Sequence, residues 1–325
     1  MASFLGFGGY VPEQVMTNHD WAQLVDTTDE WIVQRTGIKE RRIAAPEEST
    51  LTLAADASII ALADAGLTPD DVDEIILATD TPEMYTPDTA ALLQDRLECR
   101  NVPTYDLGGS GCAGFVQALD VARSRIAFEP KRILIVGVEL ITRMVDWKDR
   151  STAVLFGDGA GAVVLGPDGG RAELLDVVSG TEGRYADILT LASGGTRNPF
   201  NELTLASGEY NKVIMDGKRV FIEAVRRMSE ATTQVLDRIG KSMSDVSLVI
   251  PHQANLRIIE AVRKKLGVPE ELVYVNVDRY GNTGSATVPF ALAEAINNER
   301  IEKGDLVVLT AFGAGFHWAA AAVQF

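Results

Sequence analysis

Cysteine and histidine are scarce in this chain. Two cysteines, Cys99 and Cys112, and three histidines, His19, His252 and His317, occur in 325 residues. Two thiols make no disulfide framework, their spacing is not that of a zinc site, and no metal-ligand set is visible elsewhere. Positive charge is also short: 30 Lys plus Arg stand against 46 Asp plus Glu, a net charge of −16. That balance excludes a general nucleic-acid or anionic-membrane binder. No basic segment followed by an apolar run opens the chain, so a signal peptide is not expected. Within the uncharged C-terminal run, residues 311–325 are too few and too glycine-rich to span a bilayer. A reducing, cytoplasmic setting fits these absences. What is present, 46% hydrophobic and 23% charged residues, suits a soluble globular protein with ample core.

Residues 108–115 read G-G-S-G-C-A-G-F. An extended segment (102–107) precedes them, and helix-spaced apolar residues follow: Phe115, Val116, Leu119, Ala122 and Ile126. Cys112 is thereby expected at a helix N-terminus, where backbone N–H groups and the helix dipole favour a thiolate. The same glycines, Gly109, Gly111 and Gly114, spell G-x-G-x-x-G, with Glu139 ending the next apolar run. That is also the layout of a dinucleotide-binding turn. A nicotinamide-dependent oxidoreductase is therefore a rival, disfavoured because the preceding strand, V-P-T-Y-D-L, is polar for a central parallel strand.

The remaining pattern alternates strands and helices. Strands are expected at 3–10, 72–80, 133–138, 171–179, 246–250, 272–277 and 306–309. Helices are expected over 51–65, closed by Gly66, and over 89–97, 215–239, 256–266 and 288–296. A capping box, Thr27 with Glu30, opens a helix that Thr36 and Gly37 stop. Cys99 falls near a helix end and reads as structural. Residues 157–161, G-D-G-A-G, look like a phosphate loop but lack its Lys-Ser/Thr ending, and read as a close-packed turn. Corresponding pieces recur at an offset of about 173 residues, as Val72 with Val246, Asp106 with Asp278 and Ile133 with Leu306. An α/β chain of two duplicated halves, 1–170 and 171–325, joined at 166–170, follows. Ligands in such folds gather where strand ends of the two halves face each other. Cys112, His252 and Asn282 all lie just beyond such ends.

His252, in P-H-Q-A-N, can donate from Nε2 to a developing oxyanion or act as a base; it can also simply cap a helix. Asn282, in G-N-T-G-S-A, is by itself a turn residue. Beside a histidine, its amide completes a donor pair for a thioester enolate. With a cysteine nucleophile, the set fits acyl transfer.

The motifs T-T-D-E-W-I-V-Q-R-T-G-I (27–38), G-C-A-G-F (111–115), D-R-S-T-A-V-L-F-G-D-G-A-G-A (149–162), P-H-Q-A-N-L-R-I-I (251–259), D-R-Y-G-N-T-G-S-A (278–286) and A-F-G-A-G-F-H-W (311–318) occur in this order. With them the chain resembles the beta-ketoacyl-ACP synthase III family over nearly its whole length. The resemblance implies a thiolase-like fold in α-β-α-β-α layers, a homodimer, and acyl-CoA and acyl carrier protein as partners. It implies no cofactor. It also implies a decarboxylating condensation of an acyl-CoA primer with malonyl-ACP through acyl-Cys112, beginning fatty-acid or related polyketide synthesis. Cys112, His252 and Asn282 match the catalytic triad, and the backbone N–H groups of Cys112 and Ala314 the oxyanion hole. Thr27, Trp31, Arg35 and Arg150 match the coenzyme A nucleotide site, and Gly217 and Phe221 its pantetheine tunnel. Arg257, Lys264 and Lys265, with Arg263, match the surface that receives the acidic carrier. Thr86 and Phe316 match the acyl pocket, Phe316 as a wall.

Three departures stand out. Gly109, Ser110 and Gly111 replace the usual alanines before the cysteine. Thr86 replaces a bulky apolar residue, which leaves room for a larger primer. His317 replaces threonine and reads as a packed neighbour of the site. Two rivals remain within the fold: acyl transfer to a non-malonyl acceptor, and a noncatalytic partner subunit, the latter disfavoured by the complete triad.

Overall fold

The run I-L-I-V-G-V-E-L is buried at every position, as a strand covered on both faces must be. It is strand β4 (Ile133–Leu140) of a nine-stranded mixed sheet. The other strands are β1 (Ala2–Tyr10), β2 (Glu74–Thr79), β3 (Thr104–Gly108), β5 (Asp158–Pro167), β6 (Ala172–Thr181), β7 (Leu248–Pro251), β8 (Leu306–Gly313) and β9 (His317–Gln324). The computed structural model describes residues 1–167 and 169–325; residue 168, in the expected junction, lies outside the described residues.

Sheet order is β7-β8-β9-β6-β1-β5-β4-β2-β3. From the centre outward, each half makes two antiparallel steps and then a parallel one, and the first half adds a second parallel step from β2 to β3. Within the sheet, and among the described residues, the halves pair at Ala2–Leu174, Ser3–Glu173 and Phe4–Ala172. Seven helices bear on the site: α1 (Asp29–Thr36), α2 (Thr50–Asp64), α3 (Thr89–Arg96), α4 (Gly114–Phe128), α5 (Gly217–Arg238), α6 (Leu256–Leu266) and α7 (Thr287–Asn297). Helices α4 and α7 touch strands of both halves and form the middle layer. Their Phe115, Val116, Leu119, Val288, Ala291 and Leu292 share one core with Ile135, Val163 and Leu309. Helix α2 covers β1, β5 and β4 on one outer face, and α5 covers β8, β9 and β6 on the other. This is the expected α-β-α-β-α layering. No helix among the described residues is long and apolar enough to cross a membrane.

Four expectations need correction. Residues 272–277 form no strand: Glu270–Leu272 is a 3₁₀ turn, Val277–Tyr280 a short helix, and only Val273 bridges to Val249. The buried Gln253 side chain takes the place of a ladder there, donating to Tyr274 O and accepting from Asn276 N and Val277 N. The G-D-G-A-G run is no turn either. It enters β5, where a Cβ on Gly161 would lie 2.5 Å from Phe290 N. Its glycines permit the close approach of α7 rather than a bend. The cap of α1 is Thr28, which accepts from Trp31 N, and not Thr27. The cap of α2 is Ala65, with Gly66 one residue beyond at φ +66°. Strand β3 is polar for a simple reason: it is the edge of the sheet.

Gly161→Ala should therefore overpack the β5–α7 contact. A loss of about 1–3 kcal/mol is expected, seen as a lower melting temperature; an unchanged melt would show that α7 is not held against that strand.

Candidate active site

Cys112 sits in the 3₁₀ turn Gly111–Ala113, two residues before α4 begins at Gly114. Gly111 has φ +58°, and a Cβ on it would lie 2.4 Å from Ala314 N. A Cβ on Gly313 would likewise lie 2.4 Å from Cys112 N. The turn before α4 and the turn after β8 are thus in backbone contact, and the amides of Cys112 and Ala314 are neighbours.

His252 follows β7, whose Pro251 pairs with Thr310, and its own N–H donates to Thr310 O at 2.8 Å. Its imidazole is buried, with Nδ1 2.6 Å from Thr287 Oγ1. The Thr287 hydroxyl also lies 3.0 Å from Gly284 O, which can only accept. The single hydroxyl hydrogen goes to Gly284, so His252 Nδ1 carries a hydrogen and donates to Thr287. Nε2 keeps its lone pair. Burial pushes the imidazole pKa down to about 3, so the ring is neutral.

Asn282 is fixed by backbone bonds to the segment before β5: Asn282 N donates to Leu155 O (2.8 Å) and Gly157 N to Asn282 O (3.1 Å). Its Oδ1 accepts from Gly284 N at 2.9 Å. The amide nitrogen is left to donate to the Cys112 sulfur.

The sulfur's electrostatics reverse the helix-dipole expectation. Cys112 keeps some accessible surface at a cavity floor. Dense surroundings nonetheless push its thiol well above the usual range: first burial, then the charges of Asp80 and Glu139, against smaller opposing hydrogen bonds. Asp80 and Glu139 were not anticipated as site residues. Glu139 is fully buried and accepts from Thr81 Oγ1 (2.7 Å), Ser285 Oγ (3.0 Å) and Asp80 N (3.0 Å). Burial and Asp80 raise its pKa to about 8. Asp80 accepts from Gly111 N at 3.3 Å, with a further backbone bond from Gly109. The dinucleotide reading fails here, because the chain's own carboxylate fills the glycine turn and Glu139 is out of reach of a ribose.

One cavity of about 1800 Å³ brings together Cys112, His252, Asn282 and Ala314. Arg35, Gly217, Phe221, Arg257 and Thr86 also line it. Thr27, Trp31, Arg150, Lys264 and Lys265 are not in its wall. Phe316 is not a wall either: it is fully buried behind Phe312, edge-on at 4.6 Å, and Phe312 lines the cavity. His317 lies outside the lining, bonded to Thr181 Oγ1 (2.8 Å) and near Gln117 (3.4 Å). Trp31 is flanked by Arg35 and Arg150, with guanidinium carbons 4.6 and 5.1 Å from its ring centroid. On α6, Arg263 is tied to Glu260 and Val268 O, whereas Arg257, Lys264 and Lys265 are exposed and form no ion pair among the described residues. No cluster of metal-ligating side chains occurs among the described residues.

Residues 105–183 match the model for 3-oxoacyl-(acyl-carrier-protein) synthase III, and residues 236–325 the model for its C-terminal part. Beta-ketoacyl-(acyl-carrier-protein) synthase III of Symbiobacterium thermophilum is 47% identical, over 98% of this chain and 96% of its own. The chain belongs to the beta-ketoacyl-ACP synthase III family. It is thus an acyl-transferring condensing enzyme with the family's thiolase-like fold. The crystal structure of 3-oxoacyl-(acyl-carrier-protein) synthase III from Aquifex aeolicus VF5 matches all of both chains, with TM-score 0.92 and 42% identity. The priming beta-ketosynthase of the R1128 polyketide pathway matches with TM-score 0.91 and 34% identity, over 100% of this chain and 96% of its own. Of the residues around this site, Thr287 and Asp80 gave no local signal in sequence and Glu139 only that of the dinucleotide layout, because the contacts of all three are made only by folding.

The Thr287 hydroxyl is the testable part of the histidine geometry. Thr287→Val leaves Nδ1 without its partner and should cost about 1–3 kcal/mol in thermal unfolding, and it should shift the ¹⁵N resonances of the His252 ring. Thr287→Ser should restore both. Unmoved ring signals in the valine variant would refute the assigned tautomer.

Proposed function

We propose that this KAS III enzyme condenses an acyl-CoA primer with malonyl-ACP, with Cys112, His252 and Asn282 as its catalytic residues. The observation that carries the reading is the meeting of these three side chains and the Cys112 and Ala314 amides at one cavity wall. In the first half-reaction, Cys112 Sγ attacks the thioester carbonyl while His252 Nε2 takes the thiol proton. The Cys112 and Ala314 N–H groups hold the oxyanion. The C–S bond to coenzyme A then breaks, and the leaving thiolate is protonated by solvent. In the second half-reaction the malonyl carboxylate leaves as CO₂, and its bonding electron pair forms the enolate. The Nδ2–H of Asn282 and the Nε2–H now on His252 hold the enolate oxygen. The enolate carbon attacks acyl-Cys112, and the released thiolate recovers its proton from His252. One proton is consumed overall. The Nδ1–H tautomer supports this cycle, because Nε2 starts empty. Oxyanion donors of this kind are each worth on the order of 10²–10³ in rate. Every step uses only the chain's own groups, its substrates and one solvent proton, in keeping with a reaction that needs no cofactor.

Coenzyme A is placed with its nucleotide at Trp31, Arg35, Arg150 and Thr27, and its pantetheine arm past Gly217 and Phe221. Thr27 Oγ1 supports this as a buried hydroxyl with no partner. A base between the Trp31 ring and Arg150 needs about 7 Å for two van der Waals contacts. Arg150 must therefore swing off the ring, releasing its contacts to Asp26. Arg257, Lys264 and Lys265 receive the carrier protein; the first and second share a face of α6. Thr86 opens the acyl pocket, which Phe312 closes with Phe316 behind it. A homodimer is supported by the free edge of β3 and the exposed Met84 and Tyr85 beside Thr86. The mirrored strand order supports the division into 1–170 and 171–325. A cytoplasmic location is in keeping with the free thiols.

Incubation with a panel of acyl-CoAs should leave one acyl adduct by intact-protein mass spectrometry. Addition of malonyl-ACP should then discharge it with release of CO₂. A persistent adduct in Cys112→Ala, or discharge without CO₂, would overturn the reading, the latter in favour of a non-malonyl acceptor. Separately, Arg257→Glu should raise KM for malonyl-ACP roughly three- to tenfold at low salt, with KM for acyl-CoA unmoved. An unaltered carrier KM would remove Arg257 from the docking face.

A further inference from the structure

Arg41 has no part in the reaction above, yet among the described residues it is the only lysine or arginine that is fully buried. It lies in the two-stranded ribbon that pairs Val15–Thr17 with Glu40–Arg42. No carboxylate among the described residues pairs with it, and neutral oxygens hold its guanidinium instead. Nη1 donates to Asn18 Oδ1 (2.8 Å) and Met16 O (3.2 Å), and Nη2 to Val154 O (2.7 Å). Asn18 is itself fixed, because its amide nitrogen donates to Asp29 Oδ1 (2.8 Å) and Ile38 O (2.7 Å), which only accept. A buried cation without a counter-ion is costly, and these bonds are what offsets it.

The Nη2 bond reaches the segment that places Asn282. Val154 lies in the 3₁₀ turn Ala153–Leu155. The next carbonyl, Leu155 O, takes Asn282 N, Phe156 bridges to Asn282, and Gly157 N returns to Asn282 O. The stem of Arg41 lies against the same bridge. Its Cβ would be 3.1 Å from a Cβ on Gly157 and 3.3 Å from one on Gly281. A Cβ on Gly281 would also fall 2.9 Å from Leu155 O. Head and stem of one side chain thus brace both sides of the Phe156–Asn282 bridge.

We propose that Arg41 is a positioning residue for Asn282: it fixes the carbonyls of Val154 and Leu155, and with them the direction in which Asn282 Nδ2–H meets the enolate oxygen. A misplacement of about 1 Å at a catalytic hydrogen bond can cost on the order of 10²-fold in rate. Lysine cannot take the role, because a single ammonium nitrogen does not reproduce the planar fork that reaches Asn18 and Met16 on one side and Val154 on the other. Cys112 and His252 are placed by other contacts, the Gly313 turn and Thr310 O. The effect of Arg41 therefore falls on the decarboxylating half-reaction, which uses Asn282, and not on acylation.

The proposal rests on Asn282 holding the enolate, and its test separates the two. Both half-reactions are followed in the full chain: loading of Cys112 by the acyl-CoA that leaves the adduct, and release of labelled CO₂ from malonyl-ACP. Arg41→Lys should slow CO₂ release about ten- to a hundredfold, in kcat rather than in KM for malonyl-ACP, with the loading rate held within about twofold. Arg41→Gln, which buries no ill-paired charge, should show the same split and serves if the lysine variant does not fold. In an Asn282→Ala background, Arg41→Lys should add less than about twofold, since the group it directs is gone. Equal slowing of both half-reactions, slowing of neither, or costs that multiply in the double variant would overturn the role of Arg41. An Asn282→Ala enzyme that releases CO₂ at the wild-type rate would instead remove Asn282 from the reaction, and the proposal with it.

Discussion

The site depends on one contact, the apposition of the Gly111–Cys112 and Gly313–Ala314 backbones. Each glycine's missing Cβ would fall 2.4 Å from an amide nitrogen of the opposite turn. No side chain fits between them, so the two turns come into backbone contact beside the sulfur and bring the Cys112 and Ala314 amides together. His252 is placed by the same strand that ends in Gly313, through its N–H to Thr310 O. Asn282 is placed by the segment that feeds β5. The middle-layer helices α4 and α7 then lock the arrangement, because each packs on strands of both halves.

Burial decides the chemistry of the groups so gathered. A helix dipole offers a thiolate about 0.3–1 kcal/mol near the surface, and here the sulfur belongs to a 3₁₀ turn that precedes the first turn of α4. Desolvation and two nearby carboxyls act in the other direction and prevail. The same burial leaves His252 neutral and Glu139 hard to ionise. The site is therefore poised around hydrogen bonds and neutral groups, and charge appears in it when a proton moves.

Much of this was legible along the chain. The apolar runs of β4 and β8, the spacing of α4 and α5 and the repeat between halves all report burial, which sequence records directly. Cys112, His252 and Asn282 could be singled out because each follows a strand in a motif. Glycine was the weakest guide. In 157–161 it marks a close approach inside a strand, and in 109–111 a nest filled from within, yet both look like phosphate loops. The stretch 272–277 has strand-like residues, but Gln253, some twenty residues earlier, satisfies its backbone instead.

By itself the sequence determined the alternation of strands and helices and singled out Cys112, His252 and Asn282 as candidate reacting groups, because these follow from residue type and local spacing. Only the tertiary structure decided their protonation states and their true neighbours. A pKa is set by what surrounds a group in three dimensions, and Asp80, Glu139 and Thr287 come from elements distant along the chain. No local pattern ties Thr287 to the ring of His252, or Asp80 to the turn before Cys112.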